Sequence, residues 1–256
     1  MLQQFVVTPA AGKRLIGRAM AAHPAVVEAL STGTVVVVAG TTNAYVAEEL
    51  LQSVGAEAGF DRRGFRRGVV LPPGTRKTDT GRLPDDADFP GDVVLAKGRW
   101  QPGMEIFDVV DELGTGDVII KGANAVNLGR REAGVLVGHP QAGTAALAIA
   151  AAAGRRVRLV VPVGLEKRVE EDLCVLASLL NAPEARGPRL LPLPGEVFTE
   201  LDAVELLSGA TAHLAAGGGI GGAEGAAWLA VSGTEEQVAG AAAQIEAVAQ
   251  EPPCIW

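Results

Sequence analysis

Aromatic side chains are scarce in this sequence, at 4 % of 256 residues. A core resting on ring stacking is therefore excluded. The interior must come from Ala, Val and Leu on closely packed backbones, which the 48 % apolar fraction and 33 glycines suit. Positive charge is also short, and the formal net charge is -8. No global field exists to gather phosphate backbones, so general nucleic-acid binding is excluded while a local anion site is not. The two cysteines, Cys174 and Cys254, lie far apart without Cys/His spacing, which argues against a disulfide framework and a zinc site. Long apolar runs are missing, and none approaches the ~18 residues that span a bilayer. The opening MLQQFVVTPAAGKR lacks the basic-then-apolar order of a signal peptide. A cytoplasmic chain is expected, with no membrane and no nucleic acid among its partners. The dinucleotide fingerprint G-x-G-x-x-G is absent from the first strand-to-helix turn. Gly12-Lys13-Arg14 lacks both the leading Gly and the following Ser or Thr of a phosphate loop. No cofactor and no metal is expected.

What is present is alternation of short apolar strands with helices. Thr8-Pro9 starts a helix, since Thr caps and Pro fits the first helical position. Leu15, Ile16, Ala19 and Met20 follow at helical spacing, until His23-Pro24 breaks the helix and AVVEAL resumes it to Gly33. TVVVVA (34–39), DVVLA (92–96), DVIIK (117–121), GVLVG (134–138), RVRLVVPV (156–163) and PRLLPL (188–193) read as strands. Helices are expected at 43–54, 104–113, 144–153 and 170–181. Strands apolar on both faces and alternating with helices predict an α/β domain over residues 1–195: a Rossmann-like parallel sheet with helices on both faces. Beyond Pro194-Gly195, TAHLAAGG and GAAWLAVSG read as strands joined by GGGIGGAEG. Thr234 and Gln237 form a capping box that opens a helix running to Gln250. Residues 196–256 are expected to form a small α+β unit of ferredoxin-like kind.

The segment Phe60–Asp92 fits neither unit. Residues 61–82 carry six Arg and one Lys against two Asp, a net of +5 in a negative chain. A connection this long is a lid or binding loop for an anion, or a solvated loop balanced by Asp85, Asp86, Asp88 and Asp92.

Ligands of open α/β sheets bind outside the carboxyl ends of the strands. Gly40, Thr41, Thr42 and Asn43 form the first strand-to-helix turn, where unpaired N–H groups and hydroxyls suit a phosphate or carboxylate. Gly143 and Thr144 open a second helix after GHPQA, and His139 in that loop is placed to move a proton near neutrality, or to build a rigid turn with Pro140. In the third stretch, IIKGANAVN, Lys121 ends a strand as a cation or a base. Gly122, Asn124 and Asn127 follow as ligand-binding or turn-building residues. Glu132, Asp117 and Glu224 are further acids, each weighed against a plain surface role. Lys167 follows a strand end and can join the site. His23 and His213 are expected to be structural.

These three stretches, in this order, resemble the superfamily containing ribose-5-phosphate isomerase, glucosamine-6-phosphate deaminase and the CoA transferases. AGTTNAYVAEEL is similar to the isomerase's phosphate-binding turn and helix, and KGANAVN to its G-A-D-x-V-D segment, with Gly122, Ala123 and Val126 in place. The resemblance covers Thr34 to Val163. It implies binding of a sugar phosphate or related metabolite, with isomerisation or CoA-transferase-like chemistry. The departure is that Asn124 and Asn127 stand where the isomerase has acids, and neutral Asn cannot accept the migrating proton. Lys121, His139 and Glu132 are then the candidate catalytic groups. The alternative is a binding or regulatory module for a sugar phosphate, nucleotide or CoA-like ligand. Trp256, at the chain end, suits docking in a homo-oligomer or packing on its own domain.

Overall fold

The computed structural model describes residues 1–67, 70–71, 74–75, 78 and 89–253. Arg76, Lys77, Arg82, Asp85, Asp86 and Asp88 of the basic segment lie outside the described residues, as do Cys254 and Trp256. In chain order the elements are β1 (Leu2–Val7), α1 (Pro9–Ala22), α2 (Pro24–Thr32), β2 (Thr34–Val37), α3 (Thr41–Ser53), β3 (Val93–Ala96) and β4 (Arg99–Trp100). Then come α4 (Ile106–Val109), β5 (Val118–Ile120), β6 (Ala125–Asn127), β7 (Glu132–Val137), α5 (Gly143–Arg155), β8 (Arg158–Pro162) and α6 (Leu173–Leu180). The chain closes with β9 (Arg189–Leu193), β10 (Glu196–Phe198), α7 (Glu200–Ser208), β11 (Thr211–Gly217), β12 (Ala227–Ser232) and α8 (Glu235–Glu246). The protein is mixed α/β.

A six-stranded sheet in the order β10-β8-β5-β2-β3-β4 forms the middle layer. Alternate residues of its strands point to opposite faces. Val35, Val37, Val118, Ile120 and Phe198 enter one core with Leu15, Ile16 and Met20 of α1 and Leu50 of α3. Val36, Ile119, Leu159, Val161 and Val197 enter the other, against Ala145, Ala148 and Ala151 of α5. The runs of valine are therefore covered on both sides.

The expectation of a wholly parallel sheet is corrected. Only β10, β8, β5 and β2 run parallel; β3 pairs antiparallel with β2, and β4 with β3. GVLVG and PRLLPL do not join this sheet either. Their strands β7 and β9 pair antiparallel in a separate sheet with β6. The link from Asn127 to Glu132 is too short for a parallel crossover, which takes a dozen residues or more, so β6 and β7 fold back as a hairpin.

The helix signals act where the sequence puts them. The Thr8 side chain accepts from Ala11 N at 3.2 Å with Pro9 next to it, and α2 restarts at Pro24. Thr234 and Gln237 exchange both capping-box bonds, at 3.2 and 2.9 Å, and the helix they open ends at Glu246. The chain crosses the expected boundary near residue 195 twice. Strand β10 pairs with β8, and β1, unread in the sequence, pairs with β12 so that β12 lies central between β1 and β11.

Phe5 of β1 is 9 % exposed inside the first core, while its neighbour Val6 is 45 % exposed on the outer face. Phe5→Ala is expected to cost ~3 kcal/mol, as large-to-small core changes do, and Val6→Ala less than ~0.5 kcal/mol. Urea unfolding of the two variants reads both values; equal losses would place β1 outside the core.

Candidate functional site

Three parallel strands end side by side, and each hands the chain to a turn at the same rim. β2 leads through Ala39 and Gly40 into α3, β5 leads to Lys121–Asn124, and β8 leads to a 3-10 turn at Leu165–Lys167. From the second sheet, β7 leads through His139 into α5. These turns wall one cleft of about 940 Å³. Gly40, Thr41, Thr42, Lys121, Gly122, Asn124, His139, Gly143 and Thr144 all line it. The two helix openings picked out in the sequence therefore face the same space.

Neither opening is capped by a side chain. The first amides of α3 and α5 are left for solvent or a ligand, at the positive ends of the helix dipoles. A Cβ added at Gly40 would meet no protein atom within 4 Å, and φ there is an extended 172°. Gly40 is thus not needed by the turn itself; it leaves room in front of it. Ala142 and Gly143 both take left-handed angles, φ 58° and 51°, to turn the chain into α5.

Two asparagines hold the walls. Asn43 is fully buried and is not among the lining residues. Its Nδ2 donates to Val38 O at 2.7 Å and to Ile120 O at 3.0 Å, tying the ends of β2 and β5 together. Asn127 donates to Glu170 O at 2.8 Å and Glu171 O at 3.2 Å and accepts from Arg130 N, away from the cleft. Asn124 does line it: Oδ1 accepts from Leu136 N at 3.0 Å, leaving Nδ2 for another partner. Glu132 sits at the start of β7, three residues and ~10 Å along the strand from Val135, where β7 first lines the cleft, and it pairs with Arg130 at 3.1 Å. Glu224 accepts from Gly222 N at 2.9 Å in the exposed β11–β12 loop. Asp117 caps the start of β2, accepting from Thr34 N at 2.7 Å. None of the three acids lines the cleft.

The charge of the cleft is one-sided. Lys13, Lys121, Lys167, Arg62, Arg63, Arg66 and Arg67 line it, and Glu166 is the one carboxylate among the described lining residues. Lys13 donates to Glu166 Oε1 at 2.7 Å and Pro9 O at 3.1 Å. Burial would raise the Glu166 carboxyl, but Lys13 and Lys167 outweigh it and hold it below the usual range. Lys167 donates to Ala123 O at 2.9 Å and Thr42 Oγ1 at 3.3 Å, and burial brings its amine down to about 8. Lys121 is 8 % exposed and likewise brought down to about 8 by burial, with Asp92 opposing the shift and Arg67 and Lys167 adding to it. Behind them Glu200 is buried, and burial together with the Glu166 charge pushes its carboxyl up to about 7. Leu165 N donates to both of its oxygens, at 3.2 and 3.0 Å.

The basic segment is partly neutralised. Arg62 pairs with Glu48 and Glu251 at 3.0 Å, and Arg63 with Asp61 at 2.7 Å. Arg67 pairs with Glu105 at 2.7 Å and with the buried Asp92 at 3.2 Å. Asp92 also accepts from Ala39 N at 2.9 Å and Ile106 N at 2.8 Å, so it fixes the turn before α3. Val135, Val137, Leu147, Phe65 and Phe107 add apolar lining, and the Arg67 guanidinium lies over the Phe107 ring at 5.9 Å.

Sequence reading missed Glu166 and gave Lys13 no place in the site, while Arg67 and Asp92 entered only as members of the basic segment. Lys13 had a signal, since it shares a helical face with Ile16 and Met20. No protein-family model, curated protein or solved structure matches the chain.

Lys121 has an unfolded value of about 10.5 and a folded value of about 8. Between these the unfolded chain binds the extra proton, so stability rises with pH across that window; below it the buried ammonium costs up to ~3 kcal/mol. Lys121→Met is expected to raise unfolding stability at pH 7 by ~1–3 kcal/mol, with the gain shrinking towards pH 10. Urea unfolding at both pH values reads this, and a loss at pH 7 would contradict it.

Proposed function

We propose that this cleft binds a small organic anion, a phosphorylated or carboxylated metabolite, and that the chain catalyses a proton transfer on it. The observation that carries the reading is the lining itself: among the described residues, seven cationic side chains and two uncapped helix starts face one carboxylate. The placement outside the carboxyl ends of parallel strands accords with a Rossmann-like arrangement of β10, β8, β5 and β2. The resemblance of AGTTNAYVAEEL and KGANAVN to the sugar-phosphate isomerase and CoA-transferase superfamily supports the same ligand class. The anion sits on the amides of Thr41 and Thr42, with Lys121 and Lys167 beside it. His139 accepts from Gln141 N at 3.1 Å through Nδ1, so its ring proton is on Nε2, the nitrogen left to act on a ligand. The apolar lining and the volume suit a ligand with more body than a bare phosphate.

The second reading is a binding or regulatory module without turnover. It is favoured by the absence of a free carboxylate base among the described residues lining the cleft, since Asn124 and Asn127 stand where the resemblance implies acids and Glu166 is committed to Lys13.

A melting screen of inorganic phosphate, sugar phosphates, nucleotides and acyl-CoAs separates ligands from non-ligands. At a hundredfold excess over Kd a true ligand adds ~2.7 kcal/mol, or a rise of roughly 5–10 °C. Gly40→Ala is expected to melt as the parent does without ligand and to lose most of that rise, because its Cβ enters only the space before the turn. An undiminished rise in Gly40→Ala would move the anion elsewhere. NMR of each hit over time then distinguishes turnover from binding alone.

A further inference from the structure

We infer that Lys121 is a nucleophile whose amine condenses with the carbonyl carbon of an anionic aldehyde or ketone held in the cleft, forming an imine. The inference rests on the anion-binding reading and narrows its ligand to a carbonyl compound. It begins from a difference among the three lysines of the cleft. Lys13 donates to Glu166 and Pro9, and Lys167 to Thr42 and Ala123. Lys121 Nζ has no hydrogen-bond partner among the described residues, yet the side chain lines the cleft and is 8 % exposed. Its backbone is fixed: Lys121 N donates to Val160 O at 3.0 Å, in line with the β5–β8 ladder. An amine on a rigid strand end, facing a cavity without a partner, is aimed at whatever occupies that cavity.

The charges around it keep part of it neutral. Burial disfavours the ammonium; Asp92, on the β3 side, favours it; Arg67 of the basic segment and Lys167 after β8 oppose it. The Asp92 carboxylate is already taken by Ala39 N, Ile106 N and Arg67, which limits its hold on Lys121. A desolvated lysine beside other cations is the setting that activates an amine for imine formation.

The step balances without oxidant or metal. The Nζ lone pair adds to the carbonyl carbon, and the C=O pair moves to oxygen, which His139 Nε2–H steadies by a hydrogen bond. The new ammonium passes one proton to that oxygen through water. The carbinolamine hydroxyl then takes a second proton from solvent and leaves as water while the nitrogen lone pair forms the protonated imine; hydrolysis reverses each bond change. The protonated imine draws electrons from the neighbouring carbon and makes its C–H more acidic. Such activation lets a weaker base than a free carboxylate remove the proton, which answers the neutral Asn124 and Asn127.

The test uses the whole chain with pyridoxal 5′-phosphate, borohydride reduction and peptide mass mapping. The adduct is expected on Lys121, forming about tenfold faster than on the exposed Lys97, because the Lys121 amine, brought down to about 8, is partly neutral at pH 7.5 and meets the aldehyde held in the cleft. Inorganic phosphate should slow it, unphosphorylated pyridoxal should react more slowly, and Lys121→Arg should lose the adduct while still melting higher with phosphate. Labelling spread evenly over Lys13, Lys97 and Lys167, or centred on Lys167, overturns the inference. No adduct while phosphate still raises the melting temperature also overturns it and leaves the anion reading standing. Neither adduct nor phosphate effect removes both.

Discussion

The desolvation of unpaired positive charge is the constraint on which this structure turns. Lys13, Lys121 and Lys167 share one cleft with a single carboxylate among its described lining residues, Glu166, and that carboxylate is bonded to Lys13. Burying the Lys121 ammonium, which no ion pair holds among the described residues, costs stability, which the fold offsets through its two apolar cores. Nothing in the packing requires the Lys121 side chain to be there: its Nζ makes no hydrogen bond among the described residues. A group that is costly to bury and whose amine is held by no neighbour marks a candidate functional site, for which the anion proposed above would be the partner.

The rest of the architecture serves to hold that cleft in shape. Asn43 bridges the ends of β2 and β5, and Asp92 gathers the turn before α3, the start of α4 and Arg67. Lys167 reaches across to Thr42 and Ala123, joining the turns after β2, β5 and β8. Each of these polar groups is used by backbone that would otherwise be left open at a strand end. The helix starts of α3 and α5 are the exception, since their side-chain caps are missing where a cap would fill the cleft.

Much of this was legible in the sequence, because caps and periodicity are local. The Thr8-Pro9 start, the Thr234 capping box, the valine runs and the Gly40–Thr42 turn all follow from neighbouring residues. Pairing direction does not: β3 and β9 look like any buried strand, and only the length of the links around β6 and β7 hints at hairpins. Strand β1 went unread because Gln3 and Gln4 dilute its alternation, although Phe5 and Val7 reach the core. Asn43, Asn124 and Asn127 are indistinguishable as short polar residues after strands. Their different roles depend on which carbonyl or amide comes within 3 Å, a matter of tertiary placement. Glu166 and Glu200 escaped notice for the same reason, being 34 residues apart in sequence and coupled only across the fold.

The most direct measurement is a crystal structure of the chain soaked with tungstate, whose anomalous signal locates a phosphate-like anion without reference to any side chain. The account predicts a peak between the amides of Thr41 and Thr42 and the Nζ atoms of Lys121 and Lys167. A cleft closed by the protein's own side chains, or a peak confined to the outer surface, would contradict it.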